Sequence, residues 1–305
     1  MKRMLECRCS DLVSMTRDEL LYAMAASEGR TLACETVGTL QPMLGDITNA
    51  EFVAAMGADL ILLNIFDVNN PVIRALPQTE PENVVRKLKE LTGRPVAINL
   101  EPVEQSQGAT DPMWELSDGR KATLANAKKA ADMGVNMVLL TGNPGIGVTN
   151  KAITDTLEVY KAELGDRLVL AAGKMHAAGI LSEAAENIIT KADVKAFREA
   201  GADIILLPAP GTVPGITQEY ATELIRYIHS VGALAMTAVG TSQEGADTAT
   251  IRQIALLSKM AGADIHHLGD AGYGGMALPE NIQAYSIAIR GIRHTYRRMA
   301  GSVNR

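Results

Sequence analysis

The sequence predicts an α/β fold, a single (βα)8 TIM barrel with an extra N-terminal helix, on two observations. The first is an internal repeat: MGADLILLN (56–64), MGVNMVLLT (133–141), AGADIILLP (200–208) and AGADIHHLG (261–269) share one pattern. Each begins at a helix end closed by Gly, which takes the left-handed conformation without Cβ strain. Asp or Asn follows, then a short apolar run of strand length, then Asn, Thr, Pro or Gly. Runs apolar on both faces belong to parallel strands covered on both sides. The second observation is that four further strand-like runs alternate with these, and a helical pattern follows every one. Eight strands and eight helices is the tally of a TIM barrel, with a doubly wound open sheet as the competing arrangement.

In chain order, residues 1–28 read as an N-terminal extension and 29–305 as the barrel domain. TRDELLYAMAAS (16–27) is a helix with Thr16 and Glu19 as its capping box, placed to cover the barrel bottom or an oligomer contact. RTLACETV (30–37) is the first strand, RPVAINLEP (94–102) the third, RLVLAAGKMH (167–176) the fifth and ALAMTAVG (233–240) the seventh. The repeat supplies the even-numbered four. Helical patterns cover 48–58, 81–93, 119–134, 149–165, 190–202, 217–232, 248–263 and 279–300, several opening on Thr or Pro as helix starts do. The long loops, 67–80, 103–118, 177–189 and 269–278, all follow strands. That segregation to one end predicts an enzyme with its site at the C-terminal face of the barrel.

The chain is 47% hydrophobic, 21% charged and only 4% aromatic, so it can bury a large core, and that core is aliphatic. A net charge of −6 argues against a general nucleic-acid or anionic-membrane partner, though a local basic pocket can still hold a phosphate. Three Cys make no disulfide framework and suit a reducing compartment. Glu6 and Arg8 interrupt any apolar leader, and no run approaches the roughly 18 apolar residues of a membrane span. A cytoplasmic protein, forming a homo-oligomer, is expected.

Strand side chains alternate, so the repeat sets a register. It turns Asn64, Thr141, Pro208 and Gly269 inward at the strand ends, with His267 one layer lower and His266 facing the helices. The same register adds Glu35, Asn99 and Glu101 to the mouth and places Thr237 lower down. Buried carboxylates and amides at strand ends are costly to desolvate, which makes them catalytic candidates; solvated loop-edge polars are the bland alternative. Strand 5 ends in Gly173-Lys174-Met175-His176, with Lys174 and His176 on one face and either parity open. A lysine there is a Schiff-base nucleophile, a proton shuttle, a phosphate clamp or a solvated side chain, and the first role needs its amine deprotonated near neutrality.

Two glycine-rich segments, GTSQEGADT (240–248) and GDAGYGGMALPE (269–280), follow strands 7 and 8. This pair of loops often holds the substrate phosphate in TIM barrels, so Gly240, Thr241, Ser242, Gly272, Gly274 and Gly275 are the expected phosphate seat. Tight strand-to-helix turns are the alternative use of these glycines. GNPGIGVT (142–149) misses the nucleotide P-loop because Val148 stands where Lys is required, and Asn150 spoils the dinucleotide fingerprint, so no nucleotide cofactor is indicated. GTSQEG lacks the spacing of a nucleophile elbow. Cys7-x-Cys9 lacks a second Cys pair for zinc, and Cys34 reads as packing. His229 and His294 read as surface residues, and RRMAGSVNR as a solvated basic end or oligomer contact.

Through GADIHHLGDAGYGG and PENIQAYSIAIRGIRHTYRRMA the chain resembles an uncharacterised bacterial TIM-barrel family, some of whose members carry loose hydrolase labels. In architecture it is similar to ribulose-phosphate-binding and aldolase-type barrels, through the loops at 240–242 and 272–275. It departs from the sugar-phosphate epimerases, because strands 1 to 3 carry no His, and from haloacid dehalogenases, because no D-x-D-x-T/V motif occurs. These observations lead to an expected enzyme of small phosphorylated carbohydrate or oxo-acid metabolism, with lyase or isomerase chemistry. Glu35 or Glu101 would shuttle protons, Lys174 and His176 would polarise or bind the carbonyl, and Asn64 and Asn99 would orient hydroxyls. The alternatives are metal-assisted hydrolase or lyase chemistry, with a divalent metal on Glu35, Glu101, His176, His267 or Asp270, and a non-catalytic sugar-phosphate-binding protein.

Overall fold

The computed structural model describes residues 1–103, 116–142, 147–177 and 180–305. Eight parallel strands close into a barrel in sequence order: β1 Thr31–Val37, β2 Leu60–Asn64, β3 Val96–Leu100, β4 Met137–Leu140, β5 Val169–Gly173, β6 Ile204–Pro208, β7 Leu234–Val239 and β8 Ile265–Leu268. Two short helices, α1 Cys9–Ser14 and α2 Arg17–Ala25, precede the barrel. The helices around it are α3 Asn49–Ala55, α4 Val84–Thr92, α5 Leu124–Met133, α6 Asn150–Leu164, α7 Lys191–Glu199, α8 Gln218–Ser230, α9 Thr248–Ala261 and α10 Pro279–Met299. The fold is the expected (βα)8 barrel. Among the described residues, no helix is long and apolar enough to cross a membrane.

The repeat has a physical purpose. Its glycines, Gly57, Gly134, Gly201 and Gly262, all take positive φ between 99° and 113° where a helix gives way to the next strand. The Asp or Asn two residues on then locks that strand to the one before it. Asp59 gives its amide to Leu32 O (2.8 Å) and takes the Leu32 amide on Oδ2 (2.9 Å). Asn136 makes the same exchange with Val96, Asp203 with Leu170 and Asp264 with Ala235. A short side chain thus extends each ladder by one bond at the bottom of the barrel, where the strand amides would otherwise lack partners. Helix side chains meet the charge: Arg290 and Arg298 at Asp59, Arg17 at Asp203, His229 at Asp264.

Burial follows the alternation. Leu60, Leu62, Met137, Leu139, Ile204 and Leu206 form the barrel interior, whereas Ile61, Leu63, Val138, Leu140, Ile205 and Leu207 pack against the helices. Met4, Leu12, Leu20 and Met24 join the interior cluster, so the N-terminal segment closes the barrel bottom. Its second helix carries the expected Thr16–Glu19 capping box. Two expectations change. Thr237 shares the parity of Ala235 and Val239, which pack toward the helices, and it adjoins the Tyr285 hydroxyl rather than lying inside the barrel. The C-terminal tail is not a solvated basic end throughout: α10 kinks at Gly291 (φ 75°), and Arg298 beyond it is 7% exposed and bound to Asp59.

Candidate functional site

A cavity of about 360 Å³ opens at the C-terminal ends of the strands. Inward parity brings Glu35, Asn64, Asn99, Glu101 and Thr141 into it from β1 to β4 and the residues just beyond them. Gly269 and Asp270 enter from the end of β8, and His176 from beyond β5.

These groups are wired together. Asn99 Nδ2 donates to Glu35 Oε1 (2.8 Å) and to Asn64 Oδ1 (3.0 Å). Asn64 Nδ2 donates to Asp270 Oδ2 (2.7 Å), and Asp270 Oδ1 accepts the Gly272 amide (2.8 Å). Two carboxyls are therefore joined through two amides across the mouth. Glu35 is 6% exposed, and burial, followed by the charge of Asp270, lifts its carboxyl well above the usual carboxylate range. Burial also raises Asp270, with the Asn64 and Gly272 donors working against it. Below them His267 Nε2 lies 3.8 Å from Glu35 Oε2, and burial pushes that imidazole down to about 4. With that imidazole neutral near pH 7 the contact is not an ion pair, and neither His267 nitrogen has a hydrogen-bond partner among the described residues.

On the other side Glu101 Oε1 accepts from Arg120 Nη2 at 2.5 Å, both side chains buried. The chain returning at 118–122 runs beside the end of β3: Glu101 donates its amide to Arg120 O, and Ala122 donates to Glu101 O. Burial raises the Glu101 carboxyl, with Arg120 opposing it. Arg120 is the one Arg or Lys among the described residues lining the cavity.

The glycine-rich loops place three of the six residues expected to seat a phosphate on the cavity. Gly240, Thr241 and Gly272 line the cavity; Ser242, Gly274 and Gly275 do not. A Cβ at Gly240 would displace the Met175 methyl. Gly275 packs on Leu40 and Asn49, and its carbonyl accepts the Val37 amide (3.0 Å). The amides at the start of the second loop already face carboxyls: Asp270 N toward Glu35, Ala271 N toward Glu244, and Gly272 N toward Asp270. Burial, the larger effect, raises the Glu244 carboxyl all the same.

Strand 5 separates its two candidates. Met175 packs against the barrel interior and His176 lines the cavity, half-buried, with burial lowering its pKa. Lys174, just past the end of β5, is 2% exposed and is not among the cavity's lining residues. Among the described residues no three His, Cys, Asp or Glu side chains converge as metal ligands. Glu35 and Asp270 come together, whereas Glu101 faces Arg120 across the mouth. Arg120 and Glu244 were not anticipated, because both sit on loops where strand alternation gives no register. Most of the 103–118 loop, and residues 143–146 of the GNPGIGVT segment, lie outside the described residues.

The chain belongs to the family described as "Domain of unknown function (DUF7916)", whose model matches residues 5–305. No curated protein matches it in sequence. Among solved structures, an archaeal fructose 1,6-bisphosphate aldolase is 11% identical at a TM-score of 0.57, covering 90% of this chain and 98% of that one. A Schiff base forming fructose-1,6-bisphosphate aldolase is 12% identical at 0.57, covering 90% and 99%. A 2,3-dimethylmalate lyase of the PEP mutase/isocitrate lyase superfamily is 14% identical at 0.51, covering 85% and 83%. At these identities the likeness is one of fold.

Proposed function

We propose that the chain is an enzyme that moves a proton beside a carbonyl or hydroxyl of a small oxygenated metabolite, a carbohydrate or an oxo-acid, as a lyase or isomerase. One observation carries this: a buried Glu35, its carboxyl raised well above the usual range, joined through Asn99 and Asn64 to Asp270, whose carboxyl accepts from Asn64 and Gly272, in an open cavity. Pairs of titratable groups whose surroundings push their pKa values apart are how one site holds an acid and a base together. Glu35 then donates the proton to the oxygen that gains charge, and Asp270 accepts the one that leaves carbon or hydroxyl. Arg120, held by Glu101, supplies positive charge to the substrate's carboxylate or developing oxyanion. Thr141 and neutral His176 line the remaining wall as hydrogen-bonding groups for hydroxyls.

The fold neighbours that act on fructose 1,6-bisphosphate and 2,3-dimethylmalate are consistent with this class of substrate. A phosphate on the substrate has to seat on the Gly240–Thr241 side, since the amides of 270–272 face carboxyls. The experiment is a thermal-shift screen of hydroxy-carbonyls and oxo-acids, each paired with its phosphate ester. A ligand at 100 times its Kd adds about 2.7 kcal/mol. Stabilisation that disappears in Asn99→Ala, followed by turnover of the same compound, is the expected result. Saturable binding with no turnover instead identifies a sensor. Stabilisation untouched by Asn99→Ala removes the site from the account.

A further inference from the structure

The opposite end of the barrel holds a second cavity, of about 140 Å³. It lies at the bottom, where Arg94 precedes β3 and the N-terminal segment meets the end of α10. Its lining includes six arginines, Arg8, Arg94, Arg290, Arg297, Arg298 and Arg305, and no Asp or Glu. We propose that this cavity binds a small multivalent oxyanion, inorganic phosphate or the phosphoryl group of a metabolite, at a site separate from the mouth.

The charge balance supports it. Three of these arginines, Arg94, Arg290 and Arg298, are 3%, 6% and 7% exposed. The buried carboxylate beside them is Asp59, and it is already taken: Arg290 Nη1 lies 2.5 Å from Oδ2 and Arg298 Nε 2.7 Å from Oδ1. Among the described residues Arg94 donates to main-chain carbonyls and sulfur, including Ala58 O (2.6 Å), Gly93 O (3.1 Å) and Cys9 Sγ (3.3 Å). Burial, with Arg298 adding to it, pulls Arg94 down to about 10, the mark of a cation that lacks a full counter-charge. A buried charge in that condition is costly, and an anion relieves it.

His294 is an independent sign. It lines the same cavity, and its Nδ1 is buried with no hydrogen-bond partner among the described residues. Its Nε2 accepts from Arg293 Nη2 (3.0 Å), so the neutral ring carries its proton on Nδ1, a donor available to an anion. Arginine is suited to this ligand, because its planar fork meets two phosphate oxygens at once. Arg8, Arg297 and Arg305 are exposed, so the cavity's rim is open to solvent and its floor is fixed. The main-chain oxygen of Arg305 is engaged by the Ser10 amide at 2.7 Å.

The test titrates the full-length protein with inorganic phosphate by calorimetry and thermal unfolding, against potassium chloride at matched ionic strength. Phosphate should bind one per chain and raise Tm beyond the chloride control. The double variant Arg8→Ala/Arg297→Ala removes two rim groups and leaves the buried ones in place. It should weaken binding by about tenfold or more, with its Tm in chloride unchanged. If that variant does not fold, Arg305→Ala makes the same comparison. Glycerol phosphate binding more tightly than phosphate assigns the site to a metabolite's phosphoryl group; equal or weaker binding assigns it to the free ion. A phosphate effect no larger than that of chloride overturns the proposal. So does phosphate binding that survives the arginine variants but is lost in Glu35→Gln, since that places the ion at the mouth.

Discussion

Glu35→Gln should make the protein more stable at alkaline pH than the wild type while leaving its fold intact. The Glu35 carboxyl is 6% exposed and is raised above its ordinary value of 4.5, first by burial and second by Asp270. A carboxyl whose folded pKa exceeds its unfolded one binds its proton more tightly in the folded state. Its contribution is fully present below the unfolded pKa and is lost as pH rises through the folded one. Within that window the group sheds about 1.4 kcal/mol per pH unit. Glutamine keeps an oxygen for Asn99 Nδ2, which sits 2.8 Å from Glu35 Oε1, and titrates nothing. Its amide also offers a donor to His267, whose ring nitrogens lack partners among the described residues. For a chain of 305 residues, each kcal/mol moves Tm by about 1.5 °C. Thermal unfolding of both proteins in half-unit steps from about pH 5 to pH 9 measures the difference. The variant should match or trail the wild type at the acid end, gain about 2 °C per pH unit through the window, then level off. A difference that stays constant with pH, or a variant less stable at the alkaline end, would refute the raised Glu35 carboxyl.

Arg120→Met leaves Glu101 buried without its partner and should cost about 3–5 kcal/mol in urea unfolding, much of it recovered when Glu101→Met is added. Asp59→Asn strips the charge that meets Arg290 and Arg298 and should cost a similar amount, about 3 kcal/mol or more, read from the urea midpoint. Incubation with dihydroxyacetone and borohydride followed by peptide mapping should find no adduct on Lys174, because that side chain is buried and does not line the cavity; an adduct there would contradict its placement.

Much of the fold could be read from the repeat, because Gly-x-Asp marks both a helix end and the first bond of the next ladder. The same marker oriented the even-numbered strands, which put Asn64, Thr141 and His267 on the inward side. The odd-numbered strands lack it. Their parity had to be carried over, which worked for Glu35 and Asn99 but turned Thr237 the wrong way. At Lys174 the strand has already ended, at Gly173, so alternation no longer decides which side chain enters the mouth. Arg120 and Glu244 come from loops that return to the site, a property of tertiary structure that local spacing does not encode. Glycine in the 269–275 loop suggested amides open to an anion; the carboxyls of Glu35, Glu244 and Asp270 reach those amides from three places in the chain.

Glu35 and Asp270, acting as the proposed acid–base pair, should exchange protons with a bound carbonyl compound. The direct measurement is proton NMR in D2O of hydroxy-carbonyls and oxo-acids that stabilise the protein, following loss of the signal from the carbon next to the carbonyl. Wild type should catalyse that exchange, with Glu35→Gln and Asp270→Asn each slowing it by about 100-fold or more while ligand binding persists. Exchange at the wild-type rate in both variants, or no exchange with any ligand that binds at the mouth, would contradict it.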